Sequence, residues 1–373
     1  MPNSGYYLFK EDVFNQNIED IKNAFNSQHF DFTLGYSIKA NYNELLIKSA
    51  YDKGVHFDCA SLDEIKRLKE LHVPSHAMWV NTSHLTNDLL DCLDKEGIFM
   101  FADSFLQLEQ LKEFCTADQK VTVGVRICLQ QHKSRFGIEA SNENIAQLHS
   151  FFKEHKNIEL KGLSIHYSTA DRSISKFRSR VEEFVQLYAN FFQDFTIDTL
   201  NFGGGFAGNM SLELAAQFEY TIPTWEEYAK VIKTTFAKNN IPHLKVLIEP
   251  GIALAADSFD FIAEVIDIKY NGGQHIALLN TSTLFLKPTG HSKDISFDIE
   301  NPSTEKGVEK EYLLAGMSCM ETDTLGVYKG HLQPGSRLRF KNVGSYTLSF
   351  RENFIFDQPE VIPLRVLDLQ NTN

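Results

Sequence analysis

The chain is poor in several things, and each shortage narrows what it can be. Cysteine is scarce and unpaired: Cys59, Cys92, Cys115, Cys128 and Cys319 are odd in number and widely spaced, with no Cys-x-x-Cys pair. Such spacing supports neither a disulfide framework nor a zinc ribbon, so free thiols and no metal site are expected. Long apolar stretches are missing too. No run reaches the ~18 residues of a membrane span, and the first residues carry Lys10, Glu11, Asp12, Glu19 and Asp20 in place of a signal peptide's apolar segment. A cytoplasmic protein with no membrane partner is expected. Positive charge is the third shortage. With 36 Lys and Arg against 49 Asp and Glu the net charge is -13, a field that repels nucleic-acid backbones and admits a basic small molecule.

What is present is globular. A chain of 373 residues, 43% hydrophobic and 23% charged, without low-complexity linkers or sequence repeats, fits one large domain and a smaller one. Short apolar runs alternate with longer helical patterns. The runs are Tyr36–Ala40, His56–Ser61, Ala77–Asn81, Phe99–Ser104, Val121–Ile127, Gly162–His166, Thr199–Phe202 and Lys245–Glu249. Between them, Leu62, Ile65, Leu68 and Leu71 fall three apart, and Arg178–Phe192 is apolar at helical spacing. Alternating strand and helix implies a parallel sheet, and eight such strands predict a closed (β/α)8 TIM barrel over residues 12–255. Beyond it the runs Asp260–Lys269, His275–Thr281, Tyr312–Ala315 and Ser336–Phe350 are broken by turns and lack helical period. They predict a β-rich domain over residues 256–373, joined by residues 1–11 through the strand-like Tyr6–Phe9.

Barrel enzymes carry their chemistry at the C-terminal ends of the strands. There the sequence places Lys39, Asp58, Asn81, Arg126, His166, the run Gly203-Gly204-Gly205, and Glu249. The glycines spell G-x-G-x-x-G through Gly208. A dinucleotide fingerprint belongs after the first strand of its unit, though, and this one follows the seventh, where barrels bind phosphate through backbone N–H groups. A phosphate cradle is the better reading, a tight structural turn the plainer one.

These motifs, in this order, resemble the fold type III pyridoxal-phosphate decarboxylases, which include ornithine, diaminopimelate and carboxynorspermidine decarboxylases. The resemblance runs through Tyr36-Ser-Ile-Lys39-Ala-Asn, Phe57-Asp58-Cys-Ala-Ser61, Ser134-Arg-Phe-Gly137, Gly203-Gly-Gly-Phe206, Glu249-Pro-Gly251, Cys319-Met-Glu-Thr-Asp323 and Gly344-Ser-Tyr346-Thr347. It implies an alanine racemase-like barrel, pyridoxal 5'-phosphate as cofactor, and a homodimer with shared active sites. Lys39 resembles the Schiff-base lysine, Glu249 the carboxylate facing the pyridine nitrogen, His166 the ring stacked on the cofactor, and Asp58 the acid beside that lysine. Gly203, Gly204, Gly205 and Tyr346, with Thr169 as an addition, resemble the phosphate ligands. Cys319 resembles the thiol that reprotonates the substrate after CO2 leaves, which suits a group protonated at neutral pH. Asp323 resembles the acid that receives the substrate's distal amine, with Met320 and Glu321 beside it.

The sequence also departs from the family pattern. Ile252 stands where Glu-Pro-Gly-Arg has its arginine, and Met320 where an acid is common. The strand around His166 reads Ser-Ile-His-Tyr-Ser-Thr, and Lys287-Pro-Thr-Gly-His-Ser occupies the place of the cations that pair a second substrate carboxylate. An unpaired carboxylate in a pocket is costly, which argues against diaminopimelate and for an extended, amine-bearing amino acid of polyamine or siderophore biosynthesis. The alternatives are a racemase of the same fold, disfavoured by Glu249 and by the absence of Gly-His-Gly after Asn41, and a non-catalytic homologue that binds pyridoxal phosphate or a partner.

Overall fold

The computed structural model describes residues 4–364 except 117, 168, 242–243, 291–292, 303–308 and 352. The outer limits of the expected β domain, residues 1–3 and 365–373, therefore lie outside the described residues, as do Ser168, His291 and Ser292 of two motifs named above. Among the described residues no helix is long and apolar enough to cross a membrane.

The first strand, β1 (Tyr6–Phe9), precedes the barrel. The barrel itself is built from β2 (Phe32–Ser37), β3 (His56–Cys59), β4 (Met78–Asn81), β5 (Phe99–Ala102), β6 (Val121–Cys128), β8 (Ile158–Ser164), β9 (Thr199–Asn201) and β10 (Lys245–Ile248), with a two-residue β7 (Ile138–Glu139) beside β6. Neighbours pair in parallel around the ring, and β10 returns to β2, so the sheet is closed. The helices that follow the strands start at hydrogen-bonding residues: Asn43, Ser61, Thr86, Ser104, Ser141, Ser173 and Thr224 each cap a first turn with the side-chain oxygen. Their apolar faces close over the barrel. On the helix Glu11–Asn26, Phe14, Ile18, Ile21 and Phe25 recur at helical spacing and are fully buried.

Inside the barrel a separate apolar plug of Trp79, Phe101 and Leu247 forms the floor of the site above it. Two glycines make room for it. A Cβ at Gly35 would run into the Trp79 indole, and one at Gly124 into the Phe101 ring.

The second sheet contains β11 (Phe259–Asn271), β12 (Gln274–Leu279), β13 (Phe297–Ile299), β14 (Lys310–Ala315), β15 (Thr324–Gly330), β16 (Arg337–Phe340) and β17 (Val361–Pro363). Its path is β13-β16-β11-β12-β14-β15, and β1 pairs antiparallel with β11 and parallel with β17, which places the N-terminal strand here. Several expected strand bounds shift, as at β8, which runs Ile158–Ser164 rather than Gly162–His166, and two shifts bear on the site. The first barrel strand begins at Phe32 rather than Tyr36 and ends at Ser37, because Asn41 N–H bonds the Ile38 carbonyl at 3.0 Å and winds Ile38–Ala40 into a 3-10 turn. Lys39 thus sits on a turn above the strand. The expected run Ser336–Phe350 is a strand only over Arg337–Phe340, because Asn342 and Tyr346 take left-handed φ values of 58° and 57° and lead the chain back to the barrel.

The plug yields a prediction for stability. Gly124→Ala forces Phe101 off its rotamer and lowers stability by about 1–3 kcal/mol, measured as the midpoint of denaturant unfolding; an unchanged midpoint would show that the ring has space to move.

Candidate active site

The strand ends converge as the sequence predicts. Ser37, Lys39, His166, Phe206, Glu249, Ile252 and Tyr346 line one pocket of about 60 Å³ at the barrel mouth, together with Arg172, Gly205 and Gly251. Lys39 Nζ lies 2.9 Å from Asp58 Oδ2 and 2.6 Å from Ser37 Oγ, and Ser37 Oγ in turn donates to the same carboxylate oxygen at 2.6 Å. Asp58 is 2% exposed and Glu249 4%, so both need partners. Asn81 Nδ2 reaches both, donating to Asp58 Oδ1 at 2.7 Å and Glu249 Oε1 at 2.8 Å. Glu249 Oε1 also accepts from Trp79 Nε1 at 2.6 Å and Asn201 Nδ2 at 2.6 Å. With three donors fixed on Oε1, Oε2 has no partner among the described residues. Trp79, Asn201 and Ser37 were not singled out in the sequence, and only Asn81 carried a signal, as a polar residue at a strand end.

These contacts set the charges. Burial by itself would depress the Lys39 ammonium, but the charge and hydrogen bond of Asp58 outweigh it and hold the pKa above the ordinary lysine value. Asp58 shows the converse: burial would raise it, and Lys39, Asn81 and Ser37 hold it below the usual carboxylate value. Glu249 is pushed up to about 7 by burial and by the nearby Asp58 charge, offset in part by the Asn201 donor. His166 is driven down to about 3 by burial and by Lys39, so it is a neutral ring. Its Nδ1 accepts from Gly204 N–H at 3.0 Å, which leaves the proton on Nε2.

The glycine turn follows β9, the seventh barrel strand. Gly203 and Gly205 have φ values of 65° and 82°, which only glycine adopts readily. A Cβ at any of the three would meet backbone or His166. The turn offers fewer amides than the sequence implied: Gly203 N–H is taken by Asn201 Oδ1 at 2.8 Å and Gly204 N–H by His166. Gly203 and Gly204 therefore shape the turn, and the N–H groups of Gly205 and Phe206 remain without partners among the described residues. Tyr346 N–H bonds the Ala40 carbonyl at 2.7 Å, which ties its strained turn to the one carrying Lys39. Thr169 lies outside this pocket. It lines an adjoining cavity of about 340 Å³, and its Oγ1 accepts from Asp171 N–H at 3.3 Å, holding the loop after β8. Arg126 pairs with Asp103 at 3.3 Å and packs over Phe136.

The Cys319 segment does not line the Lys39 pocket of its own chain. It forms the turn between β14 and β15, with the thiol and Glu321 exposed and Met320 half-buried. Asp323 departs from its expected part. Its buried carboxylate accepts from Thr283 N–H at 2.7 Å, Thr283 Oγ1 at 2.8 Å and Ser318 N–H at 3.1 Å, so its oxygens are taken up by its own chain. These donors outweigh the burial that would raise its pKa. Asp323 fastens the Cys319 turn to the short helix Thr283–Leu286.

This is a barrel whose mouth gathers a lysine, a buried acid and a glycine turn with two free N–H groups among the described residues, a set of groups that suits a phosphorylated aldehyde. The protein belongs to the pyridoxal-dependent decarboxylase family: the family model described as the pyridoxal binding domain matches residues 12–256. The diaminopimelate decarboxylase of Aquifex aeolicus is 24% identical over 292 residues, a match covering 74% of this chain and 65% of that protein. Among solved structures, diaminopimelate decarboxylase of M. jannaschii in complex with L-lysine superposes with a TM-score of 0.85 at 19% identity, covering 96% of this chain and 86% of that one. Lysine/ornithine decarboxylase of Vibrio vulnificus, complexed with cadaverine, gives 0.82 at 20% identity, covering 97% and 95%. Pyridoxal phosphate is the cofactor, and the residues lining the pocket fit it in kind: Lys39 could hold an aldehyde, the free oxygen of Glu249 could meet a ring nitrogen, and Gly205, Phe206 and Tyr346 could receive a phosphate.

The raised Glu249 gives a pH-dependent stability in cofactor-free protein. Between the ordinary 4.5 and about 7 the folded state holds a proton that the unfolded state has lost, so stability falls as pH rises through that window and levels off above it. Glu249→Gln removes its share of the slope and leaves that of other raised acids such as Asp257. The wild-type-to-variant difference is expected to change by on the order of 3 kcal/mol between about pH 4 and pH 8, measured from denaturation midpoints. A difference that stays constant with pH would contradict the assignment.

Proposed function

We propose that this chain removes the α-carboxylate of an amino acid with an extended, amine-bearing side chain, releasing CO2 and an amine of the polyamine type. The observation that carries the reading is Glu249: a buried acid whose first oxygen is fixed by Trp79, Asn81 and Asn201, whose second has no partner among the described residues, and which lines the same pocket as Lys39. A carboxylate there keeps a pyridine nitrogen protonated, whereas a cation would not. Bound pyridoxal phosphate supplies the electron sink for the pair left when the carboxylate departs. Lys39 would hold the cofactor through its aldehyde, and Asp58, 2.9 Å away, orients the lysine amine. His166, a neutral ring with Nδ1 anchored on Gly204, packs a flat face against the pocket. Trp79 and the plug beneath it exclude water from the floor.

Reprotonation is assigned to Cys319 of a second copy, because in its own chain the thiol is exposed and away from Lys39. In that arrangement Asp323 positions the turn, and Glu321, exposed beside the thiol, is the carboxylate that meets the distal amine.

Lys39→Ala is expected to abolish covalent cofactor, seen as loss of the visible absorbance band, and to abolish turnover; full activity in that variant would sink the proposal. Cys319→Ala is expected to keep the band and slow CO2 release at least 10-fold. Co-expressed at equal levels, the two variants recover about a quarter of wild-type activity if sites are shared across a two-fold axis, and no more than the residual activity of Cys319→Ala if each chain is self-sufficient. CO2 release from lysine, ornithine, arginine, diaminopimelate and carboxynorspermidine identifies the substrate. Retained cofactor with no release from any amino acid, free or conjugated, would favour the non-catalytic reading.

A further inference from the structure

The pocket lacks the arginine that its family's Glu-Pro-Gly-Arg pattern supplies, since Ile252 lines the wall in its place. The shortage is sharper than the sequence shows, because two of the three glycine amides are already engaged by Asn201 and His166. A phosphate dianion in this pocket would share it with Glu249 in a chain of net charge -13, so two free amides and a phenol leave it under-compensated. The cationic side chains lining the pocket are Lys39, committed to Asp58, and Arg172.

Arg172 lies near the Tyr220 and Tyr228 phenols, which its charge stabilises in their ionised forms, but it has no ion pair among the described residues. No carboxylate of the described residues pairs with it, and its buried Nε has no hydrogen-bond partner. It lies two residues before the helix Ile174–Phe191, on the wall between the Lys39 pocket and the adjoining cavity, and together with Gly205 it lines both. Its backbone is held in register with the glycine turn: Tyr228 Oη accepts from Ala207 N–H at 3.2 Å and donates to the Arg172 carbonyl at 3.1 Å. Behind the turn, buried Arg180 donates to the carbonyls of Tyr167 at 2.9 Å and Gly204 at 3.4 Å, again with no carboxylate partner among the described residues. Burial lowers Arg180 only to about 10, so it is charged at neutral pH. Two guanidinium groups without carboxylate partners among the described residues thus flank a turn whose Gly205 and Phe206 line the pocket.

We propose that Arg172 is the phosphate-binding cation that Ile252 does not provide, so that this chain grips its cofactor from the loop before Ile174–Phe191 rather than from the turn after Pro250. The proposal rests on the assignment of pyridoxal phosphate to this pocket, but not on the reaction catalysed there. A guanidinium offers two parallel donors to a phosphate, and loss of such charged contacts weakens binding about 10- to 100-fold.

The experiment compares the affinity of cofactor-free protein for pyridoxal phosphate with that for pyridoxal, which lacks the phosphate, by absorbance titration. Arg172→Met is expected to weaken pyridoxal phosphate about 10- to 100-fold and leave pyridoxal unchanged. Adding Ile252→Arg to that variant is expected to restore most of the loss. Unchanged affinity for pyridoxal phosphate, or an equal fall for both ligands, would overturn the proposal, the second by showing a structural effect alone. Failure of the decarboxylase reading looks different: the affinity pattern stands while no amino acid releases CO2. Wild-type protein that takes up neither ligand would overturn this proposal and the cofactor assignment together.

Discussion

Two carboxylates buried within reach of one another are the constraint around which this barrel is arranged. Asp58 and Glu249 each raise the cost of ionising the other, and their coexistence depends on Asn81, whose single amide nitrogen donates to both. Lys39 settles the charge of Asp58, and Trp79 and Asn201 settle one oxygen of Glu249. These groups come from β2, β3, β4, β9 and β10 and the turns that end them, so the site exists only once the ring has closed. The apolar plug below is part of the same device, since Trp79 packs its ring in the plug and aims its N–H upward at the acid.

The β domain is bound into this site as well. Asn41, two residues past Lys39, donates its side-chain amide to the Gly344 carbonyl at 2.8 Å, and Tyr346 N–H returns to Ala40. Gly344 has to be glycine, because a Cβ would collide with the Ala255 carbonyl. The lysine turn and the tyrosine turn therefore hold each other, and movement of either domain would disturb both the Lys39 and the Tyr346 walls of the pocket. Asp323 does comparable work at the far side of the domain, where three donors make a rigid base for an exposed thiol.

Much of the fold is legible in the residues because it rests on local pattern. Apolar runs marked all eight barrel strands, and helical spacing such as Leu62 to Leu71 marked the cover. The boundaries slipped where polar or special residues interrupt the pattern. Thr33 and Gly35 hid the start of β2, and Tyr346, in a left-handed conformation unusual for an aromatic residue, hid the end of β16. In the second sheet β13, β15 and β17 were missed, because short, partly exposed strands carry little alternation.

The sequence by itself determined the barrel, the added β domain and the residues whose chemistry is carried by type: an amine at Lys39, acids at Asp58 and Glu249, glycines after the seventh strand. Each is a property of a residue or of its neighbours along the chain. Only the tertiary structure decided which polar groups were already taken. Gly203 and Gly204 lost their amides to Asn201 and His166, Asp323 lost its carboxylate to Thr283 and Ser318, and Arg172 was left at the pocket wall with no carboxylate partner among the described residues. A hydrogen bond is claimed by whatever lies nearest in space, and those neighbours are far apart in the chain, so no spacing along it records the outcome.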